Sequence, residues 1–253
     1  MDNLLYISTT NIISLISLIG TVIIITAFII KKEIKAVNIV LFLIFLVGMY
    51  LYIPLKLTSF GFLYQNPKYL KLAGKLSINP YERRLCNKYL SELYADDIYY
   101  QGLKDGSKAI NYMEWAIKGD YKKYPNETKK LMFWYSIKGD EEKTFMLADI
   151  LEIKTGIAIR NIYIMKDDYK KVLDTFENDK GVENYLKADI YKKLGNTEAA
   201  KNARNIADET YNSTLSHIKI RAKKLEYKEN IEKYKSIENY KNWILASRKE
   251  YGF

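Results

Sequence analysis

Two long apolar runs open the chain and dominate its pattern of hydrophobic and polar positions. Residues 12–30 and residues 37–55 each hold nineteen positions without a charged side chain. As a helix, each run extends about 28 Å, which matches the hydrocarbon core of a bilayer. Only six residues, KKEIKA, separate the runs, so no folded loop fits between them. The pattern predicts a two-span transmembrane hairpin at 1–56 and a membrane-proximal linker at 57–80.

Two other interpretations of these runs are a pair of buried core helices and, for the first run, a cleaved signal peptide. A signal peptide needs a positively charged start and a shorter apolar stretch. The residues before the first run carry only Asp2. Nineteen uncharged residues are also long for a core helix, so the sequence favours membrane spans.

The orientation of the hairpin follows from lysines beside the spans. Three lysines lie in the turn, whereas no Lys or Arg precedes the first span. The positive-inside rule therefore places the turn in the cytoplasm and both termini outside. Lysines that follow the second span favour the opposite orientation: Lys56, Lys68, Lys71 and Lys75. Because the first helix usually dominates, we expect the C-terminal part to lie outside a bacterial inner membrane, in the periplasm.

Beyond residue 80 the apolar positions recur at spacings of three and four, which predicts helices. Single glycines stand near the expected ends, and Ser107, Asp140 and Thr197 are candidate caps for N-termini. Pro125 is suited to a first helical turn. The predicted helices are 81–100, 107–118, 126–138, 141–155, 157–166, 168–178, 182–194, 197–212 and a long piece from about 214 to 249.

These short helices show internal similarity. Ile117-Lys-Gly-Asp120 returns as Ile137-Lys-Gly-Asp140, each time after an aromatic-rich helix end. Tyr163, Asp167 and Val172 correspond to Tyr191, Gly195 and Ala200 at a constant offset of 28 residues. Short helices that cannot bury their own apolar faces stack on their neighbours. We therefore expect a helical repeat domain at 81–213.

The segment 188–200, ADIYKKLGNTEAA, resembles the core of a tetratricopeptide repeat. Residues 99–102 with 108–120, and also 133–156, resemble the related Sel1-like repeat. The resemblance covers about 85–211. The resemblance implies an all-α fold, namely an α-solenoid of short antiparallel helix pairs. It also implies that the concave groove of the solenoid binds peptides or partner domains, and it implies no catalysis. Offsets of 20 and 28 are shorter than the roughly 34 residues of a tetratricopeptide repeat, so irregular packing is expected in the middle units.

Charge and chemistry add three expectations. The net charge is +10, and residues 218–253 carry ten basic and five acidic side chains, so we expect 214–253 to form a basic capping helix. The repeat body is nearly neutral, which disfavours nucleic-acid binding. Cys86 is the only cysteine and His217 the only histidine, which excludes a disulfide scaffold and gives a weak basis for a nucleophile–base pair. The sequence therefore predicts no enzyme, cofactor, metal or small-molecule substrate.

The expected function is a membrane-anchored scaffold or adaptor in a bacterial cell-envelope machine for secretion, pili or motility. Its partners would be other envelope proteins, the lipid bilayer and a further copy of the chain. Aromatic side chains dominate protein interfaces, and those at helix ends are the candidate contacts: Trp115, Trp134, Tyr135 and Trp243. The alternative is a membrane-tethered immunity protein that occludes a periplasmic toxin.

Overall fold

The structure is a computed structural model that describes residues 52–95, 104–177 and 181–253, together with Gly20, Thr26 and Tyr50. All regular secondary structure in these residues is α-helical, which confirms the predicted all-α class. The predicted spans 12–30 and 37–55 lie outside the described residues, apart from these isolated positions and 52–55. Among the helices that the structure does describe, none is long and apolar enough to cross a membrane.

The chain divides into two compact units, Met1–Lys118 and Gly119–Phe253. The described helices of the first unit are α1 (52–63), α2 (Pro67–Leu76), α3 (Pro80–Ala95) and α4 (Gly106–Ile117). Helix α3 packs against both α2 and α4. The fully buried side chains of this unit include Leu70, Ala73, Cys86, Ala109 and Met113.

The segment 57–80, predicted to be a linker, is folded into the first unit. It holds most of α1 and all of α2, and Leu70 and Ala73 of α2 are completely buried. Asn66 caps α2 by accepting a hydrogen bond from the backbone N–H of Lys68. An asparagine followed by Pro67 is a sequence signal for a helix start, and the sequence prediction overlooked it.

The second unit contains α5 (Pro125–Lys138), α6 (Glu141–Ile150), α7 (Ile157–Met165), α8 (Tyr169–Asp174), α9 (Asn184–Lys193), α10 (Thr197–His217), α11 (Arg221–Glu232) and α12 (Ile237–Glu250). The first six form three consecutive pairs, in which α5 packs on α6, α7 on α8 and α9 on α10. Helices α5 and α7 also contact each other, so neighbouring pairs are stacked.

Several predicted helix boundaries of this unit are confirmed. Helix α5 begins at Pro125 and ends at Gly139, whose φ of +86° is the left-handed conformation that glycine tolerates best. Asp140 caps α6 by accepting from the N–H of Lys143. The predicted cap Thr197 is wrong by one residue, because the Asn196 side chain takes that role. In the first unit Ser107 is likewise replaced, by Asp105.

The single long helix predicted from about 214 to 249 is replaced by three segments. Helix α10 continues to His217, and the backbone is extended at Ile218 before α11 begins. Ser236 then starts α12, because its side chain accepts a hydrogen bond from the N–H of Asn239. A serine N-cap marks a new helix start even where the apolar spacing runs on without a break.

Helix α12 packs against α5, α7 and α9, the first helix of each pair. Its buried face joins one hydrophobic cluster with these helices and α8. The buried members are Ile137, Ile164, Val172, Leu186, Ile190, Ile237, Tyr240 and Ile244. The C-terminal helix therefore lies along the face that the three pairs share.

Polar contacts fix the position of α12 along that face. The Tyr240 hydroxyl donates to Asn161 Oδ1 of α7 at 3.0 Å, and Asn161 Nδ2 donates to Ser136 Oγ of α5 at 3.0 Å. Arg248 Nε donates to the carbonyl of Ile137 at 2.9 Å. A guanidinium suits this position because the last carbonyls of a helix are unsatisfied and partly negative. These bonds set the register of α12.

We predict that Gly139→Ala destabilises the second unit more than Gly195→Ala. Both glycines have a left-handed backbone, with φ of +86° and +80°, so an added Cβ costs each about 1–2 kcal/mol. At Gly139 this Cβ would also lie 2.7 Å from Arg248 Nη2, whereas nothing lies within 4 Å at Gly195. Displacement of Arg248 weakens its bond to Ile137, which adds about 1 kcal/mol. Urea unfolding measures both free energies, and equal losses would contradict this role of Arg248.

We predict that Tyr240→Phe lowers the free energy of unfolding by about 1–3 kcal/mol, because it removes a donor from a buried acceptor. Tyr240 and Asn161 are completely buried, so water does not replace the lost bond. Tyr227→Phe is the matched control, since Tyr227 is only half-buried on α11. Thermal unfolding followed by circular dichroism compares the two variants. A Tyr240→Phe protein as stable as the control would show that the hydroxyl bond contributes nothing.

Candidate interaction surface

An aromatic stack reaches the surface of the first unit at Trp115. The rings of Tyr94 and Tyr112 are stacked, with centroids 5.7 Å apart and an interplanar angle of 3°. Trp115 meets Tyr112 edge-to-face at 5.2 Å and 87°. Tyr94 is buried and Trp115 is 59% exposed. The stack thus holds an exposed indole on a base anchored in the core; we call these three rings the Trp115 stack.

Two lysines border the Trp115 stack. Lys71 Nζ donates to the Tyr94 hydroxyl at 2.8 Å and lies 5.3 Å from the Tyr94 ring centroid. Lys108 Nζ lies 5.3 Å from the same centroid. The hydrogen bond with Tyr94 raises the pKa of Lys71 above its ordinary value, so this ammonium is charged at neutral pH.

The candidates Trp134 and Tyr135 belong to the core of the second unit. Their side chains are 5% and 2% exposed. Lys143 Nζ donates to the Tyr135 hydroxyl at 2.9 Å and lies 4.7 Å from its ring centroid. Neither aromatic side chain presents a face to solvent, so contact with a partner would require local unfolding of α5.

The candidate Trp243 is half-buried on α12 and contributes to packing within the second unit. Its ring lies 5.3 Å from that of Tyr240, and Lys233 Nζ lies 4.4 Å above it. Burial lowers the pKa of Lys233. The contact joins the α11–α12 turn to the buried side of α12, which gives Trp243 a structural role.

The second unit contains a buried cation that is not among the residues predicted from the sequence. Arg160 of α7 is 2% exposed. Its guanidinium donates to Glu183 Oε2 at 2.9 Å and to Thr175 Oγ1 at 3.2 Å, and it lies 3.9 Å from the Phe176 ring centroid. A single arginine inside the apolar segment IAIRNIYIM was the available signal. Because buried charges need partners, these contacts hold the α8–α9 connection against α7.

The residues considered for nucleophilic chemistry are unsuited to it. Cys86 is completely buried, with Sγ 3.2 Å from Thr58 Oγ1. Burial raises the pKa of the Cys86 thiol to about 11, so the thiol is protonated at neutral pH. His217 is exposed at the end of α10, where Nδ1 lies 2.7 Å from the carbonyl oxygen of Ser213.

The sequence also contains two pairs of adjacent aspartates, at 96–97 and 167–168, which were weighed as metal ligands. Asp96 and Asp97 lie outside the described residues. Asp168 caps α8, and Asp167 accepts hydrogen bonds from Tyr169 and from Lys241 of α12. These hydrogen bonds lower the pKa of Asp167, and the bond from Lys241 has the larger effect. Across the part of the chain that the structure describes, no three His, Cys, Asp or Glu side chains are grouped as metal ligands.

Comparisons with protein-family models, with curated proteins and with solved structures find no match to this chain. The interpretation of its surface therefore depends on the geometry described above.

We predict that native Cys86 resists alkylation by iodoacetamide at pH 8. Only the thiolate reacts, and a thiol with a pKa of about 11 is ionised roughly a hundredfold less at that pH than an ordinary one. The chain unfolded in guanidinium should react at the ordinary rate. The control is Cys86→Ala combined with Ser107→Cys, which places a thiol at an exposed position of α4. Mass spectrometry measures the rates, and rapid alkylation of native Cys86 would contradict its buried, protonated state.

Proposed function

We propose that the chain is a membrane-anchored helical adaptor that binds another protein of a bacterial cell envelope. The observation that carries this proposal is the Trp115 stack, in which an exposed indole packs on Tyr112 and two ammonium groups lie beside Tyr94 at the base of the stack. Tryptophan and tyrosine supply large contact areas at low entropic cost and are enriched among the residues that dominate interfaces. The proposal assigns the chain no catalytic step and no cofactor.

The lysines beside the stack indicate what such a partner offers. Lys108 keeps half of its side chain exposed, and its ion pair with Asp105 is short, at 2.6 Å. Lys71 and Lys108 both have their charges next to the Tyr94 ring. An apolar side chain that packs on Trp115, with acidic groups around it, complements this surface in shape and charge.

The arrangement of the second unit supports an α-solenoid related to tetratricopeptide and Sel1-like repeats. The first helix of each of its three pairs contacts the same helix, α12. The resemblance to these repeats implies a groove, formed by the first helices of the pairs, that receives a peptide or a partner domain. In this chain α12 covers the corresponding face, and we propose that partner binding therefore uses the Trp115 stack.

The apolar runs 12–30 and 37–55 support anchorage as a hairpin in the bacterial inner membrane. Anchorage raises the local concentration of the adaptor beside other membrane proteins. Binding through a weak contact is then stronger, although no new contact is made. We propose that the C-terminal part lies in the periplasm, because the turn between the spans is rich in lysine and the residues before the first span contain no lysine.

We predict that Trp115→Ala removes the companion protein from the purified adaptor while the chain stays folded. The full chain is cross-linked gently in membranes, extracted in mild detergent and analysed by mass spectrometry. Loss of a central aromatic contact typically costs 2 kcal/mol or more, which is about a thirtyfold weaker affinity. The helical signal in circular dichroism should be unchanged, because Trp115 is mostly exposed.

Two control variants sharpen this experiment. Leu225→Ala changes another exposed apolar residue, on α11, and should retain the companion. Trp134→Ala should instead lower the thermal stability by several degrees, as expected for a truncated core aromatic. Retention of the companion by Trp115→Ala would overturn the assignment of the surface. If the unmodified chain yields no companion, the scaffold proposal fails and a toxin that arrives from outside becomes the partner to test.

A further inference from the structure

The first three helices bring one loop beside the predicted exit of the second span. The turn at 64–66 folds α2 back on α1, so that a Cβ at Gly61 would lie 2.6 Å from Leu70 Cγ. In the middle of α1, Thr58 Oγ1 lies 3.1 Å from Glu82 Oε1 in the first turn of α3. The loop between α2 and α3, residues 77–79, precedes Glu82 and is therefore level with residues 54–58. The predicted second span ends at residue 55.

This loop is held in a defined conformation. Glu82 is buried, and its other carboxylate oxygen accepts a hydrogen bond from Ser77 Oγ at 2.7 Å. The backbone N–H of Asn79 donates to the same Ser77 hydroxyl, and Arg83 donates to the Ser77 carbonyl. A buried carboxylate that binds both α1 and the loop fixes their relative height.

The loop and the first turn of α3 nevertheless expose large apolar side chains. Ile78 is 58% exposed and Tyr81 is 62% exposed. Tyr69 and Leu72 of α2 are exposed as well. Single exposed apolar residues are ordinary, whereas several on one short segment, as at 72–81, favour an interaction surface. We call Leu72, Ile78 and Tyr81 the loop patch.

Beside the buried carboxylate of Glu82, the exposed charge around the loop patch is basic. Residues 56–81 contain four lysines and no acidic residue. Lys68 and Lys75 are exposed on α2 and lie within about one turn of Leu72 on the same face. A helix with lysines on its polar side and Leu or Tyr beside them is typical of segments that lie in the interface of anionic membranes.

We propose that the loop patch lies in the headgroup region of the bilayer that anchors the chain and binds anionic phospholipids through Lys68 and Lys75. The inference rests on the proposed membrane anchorage and adds a second, peripheral contact with lipid. Position at the exit of the predicted span, an exposed tyrosine at that height and exposed lysines on the same segment all favour lipid as the occupant. A protein partner on this patch is an outcome that the test separates.

The test uses the full chain in nanodiscs of phosphatidylcholine and phosphatidylglycerol at a ratio of three to one. Ile78→Cys and Tyr81→Cys, each with Cys86→Ala, carry a fluorophore, and a nitroxide in the lipid headgroup region quenches it. The matched control is Tyr64→Cys, an exposed position at the opposite end of α1. Ten residues of helix separate it from Pro54, a rise of about 15 Å. We expect at least about twofold stronger quenching at 78 and 81 than at 64, since nitroxide quenching acts over a similar distance.

The charge requirement is tested with Lys68→Gln combined with Lys75→Gln. In the anionic nanodiscs this pair should reduce quenching at 78 to the level in phosphatidylcholine alone, because each lysine near an anionic surface favours the bound state about fivefold. Lys219→Gln combined with Lys223→Gln removes the same charge from exposed positions in the second unit and should leave quenching at 78 unchanged.

The outcomes distinguish this inference from the proposed anchorage. A chain that is not retained in the nanodiscs at all contradicts the anchorage, whatever the labels report. A retained chain whose labels at 78 and 81 are quenched no more than the label at 64 overturns the inference alone. Labels that are shielded from a water-soluble quencher but not quenched by the lipid nitroxide also overturn it, in favour of a protein occupant.

Discussion

Burial of one face of α12 is the interaction on which the second unit depends. The helices α5 to α9 have between six and fourteen residues, and helices of that length are marginal in water without tertiary packing. Ile237, Tyr240 and Ile244 of α12 complete the hydrophobic cluster that these helices share. The hydroxyl of Tyr240 adds directionality, because its bond to Asn161 forms only when α12 is in register. The last fourteen helical residues of the chain thus hold together elements that precede them by up to about a hundred positions.

The position of α12 has a consequence for interaction. A stack of helix pairs usually exposes the face formed by its first helices, and here Tyr240 and Ile244 lie on that face fully buried. Binding of a partner helix there would have to displace α12 and leave Asn161 without the Tyr240 hydroxyl. The exposed Trp115 requires no such displacement, since its ring already rests on Tyr112. For the adaptor function that we propose, recognition through the first unit is therefore the energetically simpler route.

The sequence predicts local features of this fold and misses the long-range ones. Pro125, Gly139 and Asp140 mark helix ends correctly, because a fixed φ, a left-handed backbone and a side-chain cap are each properties of one residue and its near neighbours. The return of α12 to α7 depends on a pair separated by 79 residues, Tyr240 and Asn161. Apolar spacing at three and four identifies the buried side of a helix but not the helix that covers it. The helix at 67–76 was missed for another reason: its lysines and its place after an apolar run suggested a linker.

Two aromatic residues show where the local pattern stops. Trp115 and Tyr135 both stand four residues before the glycine of an Ile-Lys-Gly-Asp phrase. They have the same position relative to the helix end, yet Trp115 is 59% exposed and Tyr135 is 2% exposed. The difference comes from the neighbours within each unit, since α5 is flanked by α6, α7 and α12, whereas α4 packs against α3 among the helices that the structure describes. The repeated Ile-Lys-Gly-Asp motif therefore determines the direction in which a nearby side chain leaves its helix. The number of helices packed around that side chain determines whether it is buried or exposed.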